Sequence, residues 1–188
     1  MASAPPVPLS KIGRAAHDIG MAGLLGGNLY GRLALHPSVT EISDERERGR
    51  VVNAAWRRYG TINTLSLAAV ATGWAGARAK EAADPRLSGT ERRLARAKDV
   101  LVGVVAATGL ATAALGMRFA KSAPEGAVPL SDGDHAAPSA SESSKRLKRG
   151  VNAVSTLNLG AELGLVAVNA ALNQEGFRRP ATRRRFLR

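Results

Sequence analysis

Most of the side chains that could do chemistry here lie inside apolar stretches. In Val151–Leu172, VNAVSTLNLGAELGLVAVNAAL, Ser155, Asn158, Glu162 and Asn169 are spaced by 3, 4 and 7 residues. That spacing puts all four on one face of an α-helix. In Ile19–Leu35, Asn28 lies near the middle and Arg32 one turn beyond. In Tyr59–Ala77, Tyr59, Asn63 and Ser66 share a face. A carboxylate or guanidinium facing hydrocarbon is costly, so such stripes are expected to face one another. The candidate polar cluster is therefore Asn28, Arg32, Asn63, Ser66, Asn158 and Glu162.

Two kinds of chemistry fit that cluster. One is an ion, proton or substrate path with Glu162 as its titrating group. The other is an Arg32–Glu162 ion pair with amide partners that fixes helix register. Arg32 lies about 6 Å along the axis from Asn28 at helical rise, within reach of Glu162 or Asn158. Enzyme chemistry is not expected: G-x-x-x-x-G-K, H-E-x-x-H and G-x-S-x-G are all missing from the sequence. With 3 His and 0 Cys a structural zinc site is not expected. Asp132-Gly-Asp134-His135 lacks the remaining ligands of a calcium loop. No cofactor is expected.

The elements that must position these residues are four apolar blocks at about 19–35, 59–77, 100–117 and 151–172. They predict an all-α, four-transmembrane-helix bundle. The first is 17 residues long, the short limit for a span. The apolar content is Ala, Leu, Val and Gly, with only 4% aromatics. Small residues suit close helix contact in lipid. Gly23, Gly27 and Gly31 form a ladder on one face, as do Ala69, Gly73 and Ala77, and Gly103, Ala107 and Ala111. These read as packing faces, within the chain or between copies in a homo-oligomer. Trp56, Tyr59 and Trp74 sit near block ends, where aromatic rings anchor at the lipid–water boundary. Asp18 and Asp99 stand before the first and third blocks and are expected to cap them.

The rest of the chain is polar. Residues 1–15 read as a disordered lead, with an uncleaved first helix preferred to a signal peptide. Residues 16–173 read as the membrane domain. Residues 122–144, rich in Ser, Ala and Pro with no Lys or Arg, read as a flexible loop. Residues 174–188 read as a basic tail.

The net charge of +12 has two common causes, nucleic acid and an anionic membrane face. The basic residues crowd the block ends, so anionic lipid head groups are the expected partner and nucleic acid is not. Four spans put both termini on one side, with 15 Lys and Arg on that side against 11 opposite. The bias favours termini in the cytoplasm of a bacterial inner membrane.

Thr64-Leu-Ser-Leu67 and Thr156-Leu-Asn-Leu159 also match in the second and fourth blocks. Two repeated helical hairpins are one account of this, and chance matching of Ala/Gly/Leu helices the other.

Ala16-His-Asp-Ile-Gly-Met-Ala22 with Gly26-Gly27, then Arg50-Val-Val-Asn-Ala-Ala-Trp-Arg-Arg-Tyr59, resembles small uncharacterised actinobacterial integral membrane proteins of four helices. The resemblance covers mainly the first two helices. It implies a membrane location, and it assigns no activity and no functional residue. The expected role is a structural or interaction bundle in the membrane. The alternatives are a small transporter or channel-like protein using the Glu162 cluster, and a soluble four-helix bundle.

Overall fold

The computed structural model describes residues 9–177. It is an up-down-up-down bundle of four long helices: α1 (Leu9–Tyr30), α2 (Glu45–Ala79), α3 (Gly89–Ala120) and α4 (Glu142–Phe177). A π-helical turn, Gly31–Leu35, prolongs α1, followed by a short helical turn, His36–Ser38. Both described chain ends lie at one end of the bundle, called here the terminal end. The opposite end carries the 121–141 connection and is called the cap end.

The helices extend beyond the apolar blocks. α1 begins at Leu9, so residues 9–15, expected as disordered lead, are helical. Residues 1–8 and 178–188, the rest of that lead and most of the basic tail, lie outside the described residues. α2, α3 and α4 run for 35, 32 and 36 residues. At 1.5 Å per residue each is about 50 Å long, against a hydrocarbon core of about 30 Å. Their polar ends therefore continue the helices past the apolar zone.

This overshoot moves the caps. Asp44 caps α2, its carboxylate accepting from the Glu47 amide at 2.8 Å. Ser88 and Glu91 form a reciprocal capping box at the start of α3. Asp18 and Asp99 are not caps. They lie inside α1 and α3, where Asp18 accepts from Asn169 at 3.3 Å and Asp99 from Trp74 at 2.8 Å.

α1 packs chiefly on α2, and α3 chiefly on α4, giving two antiparallel hairpins that meet through α1–α4 and α2–α3. The first hairpin is held by glycines that admit bulky groups. A Cβ at Gly27 would fall within the Tyr59 ring, one at Gly31 within the Trp56 ring, and one at Gly23 against the Ser66 hydroxyl. Gly73 admits the Gly13 carbonyl and His17. The ladders of α1 and α2 are thus used inside the chain. That of α3 is not: Gly103, Ala107 and Ala111 are exposed.

Trp56 and Trp74, expected at the lipid boundary, turn inward. Trp74 is buried, and half-buried Trp56 rests edge-on against His36 and Tyr59. Each indole N–H has a protein partner, His36 or Asp99, which an indole at the lipid boundary would take from water.

The apolar surface points outward. Ile19, Leu33, Ile62, Leu65, Val100, Leu110 and Leu157 are all more than half exposed. Of the apolar window in α3 only 6% is buried, and of that in α4 22%. A core helix of a soluble bundle would be mostly buried, and a continuous apolar exterior marks contact with lipid or another protein. α3 and α4 are long and apolar enough to cross a membrane. α1 and α2 fall short of that test. Arg14, His17, Asp18 and Asn28 interrupt α1, and Thr61, Asn63, Thr64 and Ser66 the apolar part of α2.

The 122–144 segment departs most from expectation. It folds over the cap end instead of remaining a flexible loop. Val128, Leu130 and Ala137 are at most 1% exposed. Its backbone is tied down by Leu130 N–H to Glu45 O (3.0 Å) and Gly133 N–H to His36 O (3.1 Å). Arg48 donates to Ser131 O at 2.7 Å, and Asn53 to Gly126 O at 2.6 Å. Val128, Leu130 and Ala140, sparsely placed in a Ser/Ala/Pro segment, suffice because α2 and α3 overshoot and, with the turn at Val39, give them an apolar floor of Val39, Val52 and Phe119.

Candidate functional site

Seen along its axis the interior is layered. In the middle lies an apolar layer of Met21, Leu24, Val70, Val105, Ala161 and Leu165. Polar layers flank it on both sides.

The layer toward the cap holds Glu162, which is 2% exposed. Asn28 Nδ2 donates to its Oε1 at 2.7 Å and its Oε2 at 2.9 Å. Asn158 Nδ2 donates to Oε1 at 2.6 Å. Thr108 of α3 lies 2.7 Å from Asn158 Oδ1. Gly109, next to it, leaves room for that carboxamide. Tyr59 of α2 donates its hydroxyl to the Gly23 carbonyl. All four helices thus contribute groups around one carboxyl group.

Arg32 does not pair with Glu162. Its Nη2 donates to Ser155 Oγ at 2.9 Å and Thr156 Oγ1 at 2.8 Å. The ion pair expected as the structural role of the cluster is therefore not formed. Arg32 projects toward the cap, one turn from the carboxyl. Among the described residues no basic side chain contacts Glu162. Ser66 is buried against Gly20 and Gly23 on the α1–α2 seam. Asn63 is half-buried, and no side-chain hydrogen bond joins it to Glu162.

The layer toward the terminal end was not anticipated. Lys98 is 3% exposed, donates to Asn169 Oδ1, and stands 4.2 Å above the Trp74 ring. Asn169 in turn donates to Asp18. Burial lowers Lys98 to about 8, with Asp18 opposing the shift. His17 Nδ1–H donates to the Val70 carbonyl at 2.8 Å, and since a carbonyl only accepts, Nδ1 carries the hydrogen. Burial, then the Lys98 charge, holds His17 below its ordinary value.

A third group sits under the cap. His36 is bonded to Asp134 at 2.9 Å through Nδ1, and its Nε2 accepts from Trp56 Nε1–H at 3.1 Å. An indole N–H only donates, so this fixes the neutral tautomer with hydrogen on Nδ1. Burial lowers the His36 value, against the Asp134 carboxylate, which raises it. Lys148 is 5% exposed, donates to Gly133 O, and is lowered by burial to about 8 despite Asp134 and Asp132.

In the sequence Lys98 and Lys148 look like ordinary basic flanks of apolar blocks. Their burial follows from the helix overshoot, which places block ends inside the bundle. Thr108 gave one signal, as one of two hydroxyls, with Thr112, in an uncharged block. No group of three or more His, Cys, Asp or Glu residues is placed to hold a metal among the described residues. The Asp132–His135 motif closes on itself, with the Asp132 carboxylate accepting from the Asp134 and His135 amides at 2.6 and 2.8 Å. Compared with family models, curated proteins and solved structures, the chain matches none of them.

Proposed function

We propose that this chain is a four-span protein of the bacterial cytoplasmic membrane, both termini cytoplasmic, acting as a small transporter or channel-like bundle built around Glu162. One observation carries the reading: a carboxyl group lies deep in a bundle with an apolar exterior, and no base is paired with it. A carboxyl group retained there without a counter-charge is a functional group by default. A register-fixing role would rest on an Arg32–Glu162 pair, and Arg32 is committed to Ser155 and Thr156 instead. The apolar layer of Met21, Leu24 and Leu165 serves as a closed gate toward the terminal end.

A second reading, a structural or interaction bundle, draws on the outward ladder Gly103–Ala107–Ala111, which suits contact with another membrane helix. In both readings the basic ends meet anionic lipid head groups.

Carbonate extraction tests the membrane location first: release of the protein into the supernatant would end both readings. Proteoliposomes carrying an internal pH dye then separate them. The transport reading expects ion or proton flux with the wild type and at least tenfold less with Glu162→Gln. Equal flux from the two proteins would refute it.

A further inference from the structure

The oxygen and nitrogen spacings around Glu162 say more than its missing counter-charge. Thr108 Oγ1 lies 2.7 Å from the Val104 carbonyl oxygen and 2.7 Å from one end of the Asn158 carboxamide. The other end of that carboxamide lies 2.6 Å from Glu162 Oε1. A hydroxyl has one hydrogen to donate, and a carboxamide has a donor end and an acceptor end. Two arrangements then satisfy the chain.

In the first, Thr108 donates to the Asn158 oxygen, and the Asn158 nitrogen donates to an ionised Glu162. Val104 O keeps its helix partner alone, and the Thr108 hydroxyl, with no hydrogen left for it, draws back from the 2.7 Å contact. In the second, Thr108 donates to Val104 O and accepts from the Asn158 nitrogen. The Asn158 oxygen then faces Glu162 Oε1, and two oxygens at 2.6 Å need a hydrogen between them. A protonated carboxyl supplies it. The Asn158 and Glu162 heavy atoms serve both, since the two ends of a carboxamide are assigned from the network around them. The arrangements differ by one proton, one carboxamide flip and a small turn of the Thr108 side chain, and no helix has to move.

We propose that Glu162 is a reversible proton-binding site, with Asn158 and Thr108 as positioning residues that stabilise its charged and neutral forms in turn. The proposal names the proton as the ion of the transport reading and rests on that reading for any passage across the membrane. The step is RCOOH ⇌ RCOO⁻ + H⁺, the proton passing to water.

The groups facing Glu162 leave it to titrate without a fixed partner. α1 presents Asn28 and, one turn on, Arg32, which is bonded to Ser155 and Thr156. α2 presents Tyr59, whose hydroxyl is bonded to Gly23 O. α3 presents Thr108, and α4 itself Asn158. Exchange runs toward the cap, where Ser155 and Arg32 continue the polar lining. On the other side the apolar layer intervenes.

The test is infrared difference spectroscopy of the full chain in phosphatidylcholine–phosphatidylglycerol nanodiscs, stepped between about pH 4 and pH 10. A protonated-carboxyl C=O band that titrates in the wild type and vanishes in Glu162→Gln is expected. Thr108→Val and Asn158→Leu are expected to keep the band and move its midpoint by about one pH unit, the worth of one hydrogen bond. Thr72→Val, an exposed hydroxyl bonded to its own helix, is expected to leave it in place. Should Glu162→Gln fail to fold, Glu162→Asp serves instead, and the titrating band must shift in frequency with the change of carboxyl group. A band that persists in Glu162→Gln, or is unmoved in Glu162→Asp, overturns the proposal. So does a band abolished at fixed pH by sodium chloride but not by choline chloride, because the site would then take a metal cation. Absent flux with an intact titrating band would refute transport and leave the proton site standing. A missing band refutes the site whatever the flux.

Discussion

Gly26 and Gly27 are neighbours in sequence with opposite surroundings. A Cβ built on Gly27 falls within the Tyr59 ring, and one built on Gly26 meets nothing within 4 Å. Alanine at Gly26 should add only its better helix propensity, a gain of up to about 1 kcal/mol. Alanine at Gly27 gains the same but must displace Tyr59. Overpacking of this kind costs about 1–3 kcal/mol. Moving the ring also releases the Tyr59 hydroxyl from Gly23 O, costing about 1 kcal/mol more. The two variants should therefore differ by about 2–4 kcal/mol, or about 5–15 °C in Tm for a chain of this length. Thermal unfolding in mild detergent, followed by tryptophan fluorescence, measures it. Trp56 is a local reporter because its ring packs on Gly31 of the same seam. Equal effects at the two positions, or a larger loss at Gly26, would refute the assignment of this face to α2 and would place the sensitive surface on the exterior.

Two further predictions concern pH. His36 has its folded value held below 6.5 by burial, so as pH falls the unfolded state takes up the proton first. The cap should keep its full stability above pH 6.5 and lose it as pH drops through the lowered value; hydrogen exchange at the Gly133 amide, bonded to His36 O, reads this. His36→Gln should flatten the dependence, and cap exchange that stays constant down to about pH 5 would count against the tautomer assignment. Lys98 and Lys148 are each lowered from 10.5 to about 8, so the unfolded state binds more protons between those values and stability should rise with pH across them. Each lysine contributes about 3 kcal/mol at most. Denaturant unfolding at the two ends of that window measures the rise, and Lys148→Met should reduce it by about half. An unchanged slope in that variant would show that Lys148 is not buried under the cap.

Much of the site was legible before folding. The spacing of Ser155, Asn158, Glu162 and Asn169 put them on one helical face, and the structure turns that face inward. Asn28, named with Glu162 in the same cluster, is the residue of α1 that meets it. The partner of Arg32 was not legible. Depth along a helix follows from residue number, but direction across the bundle depends on how each helix is rotated. A guanidinium on a long stem reaches either the carboxyl or the hydroxyls a turn away.

The sequence by itself determined the helical class, the four apolar blocks and their small-residue content, because periodicity and composition act locally. It also determined that α1 offers a smooth glycine face. What fills that face, the rings of Tyr59 and Trp56, was decided by packing between residues 25 or more positions apart. Tertiary structure also decided where the helices start. Asp18 and Asp99 looked like caps, yet propagation past them is favourable because each is bonded by a group from another helix. The same overshoot buries Lys98 and Lys148 and gives the 122–144 segment a floor to fold on. A Ser/Ala/Pro segment cannot bury enough surface alone, and on two protruding helices it does not have to. The fit of Asn158 between Thr108 and Glu162 likewise exists only once α3 and α4 are side by side, and that contact gives the carboxyl group two ways to be satisfied.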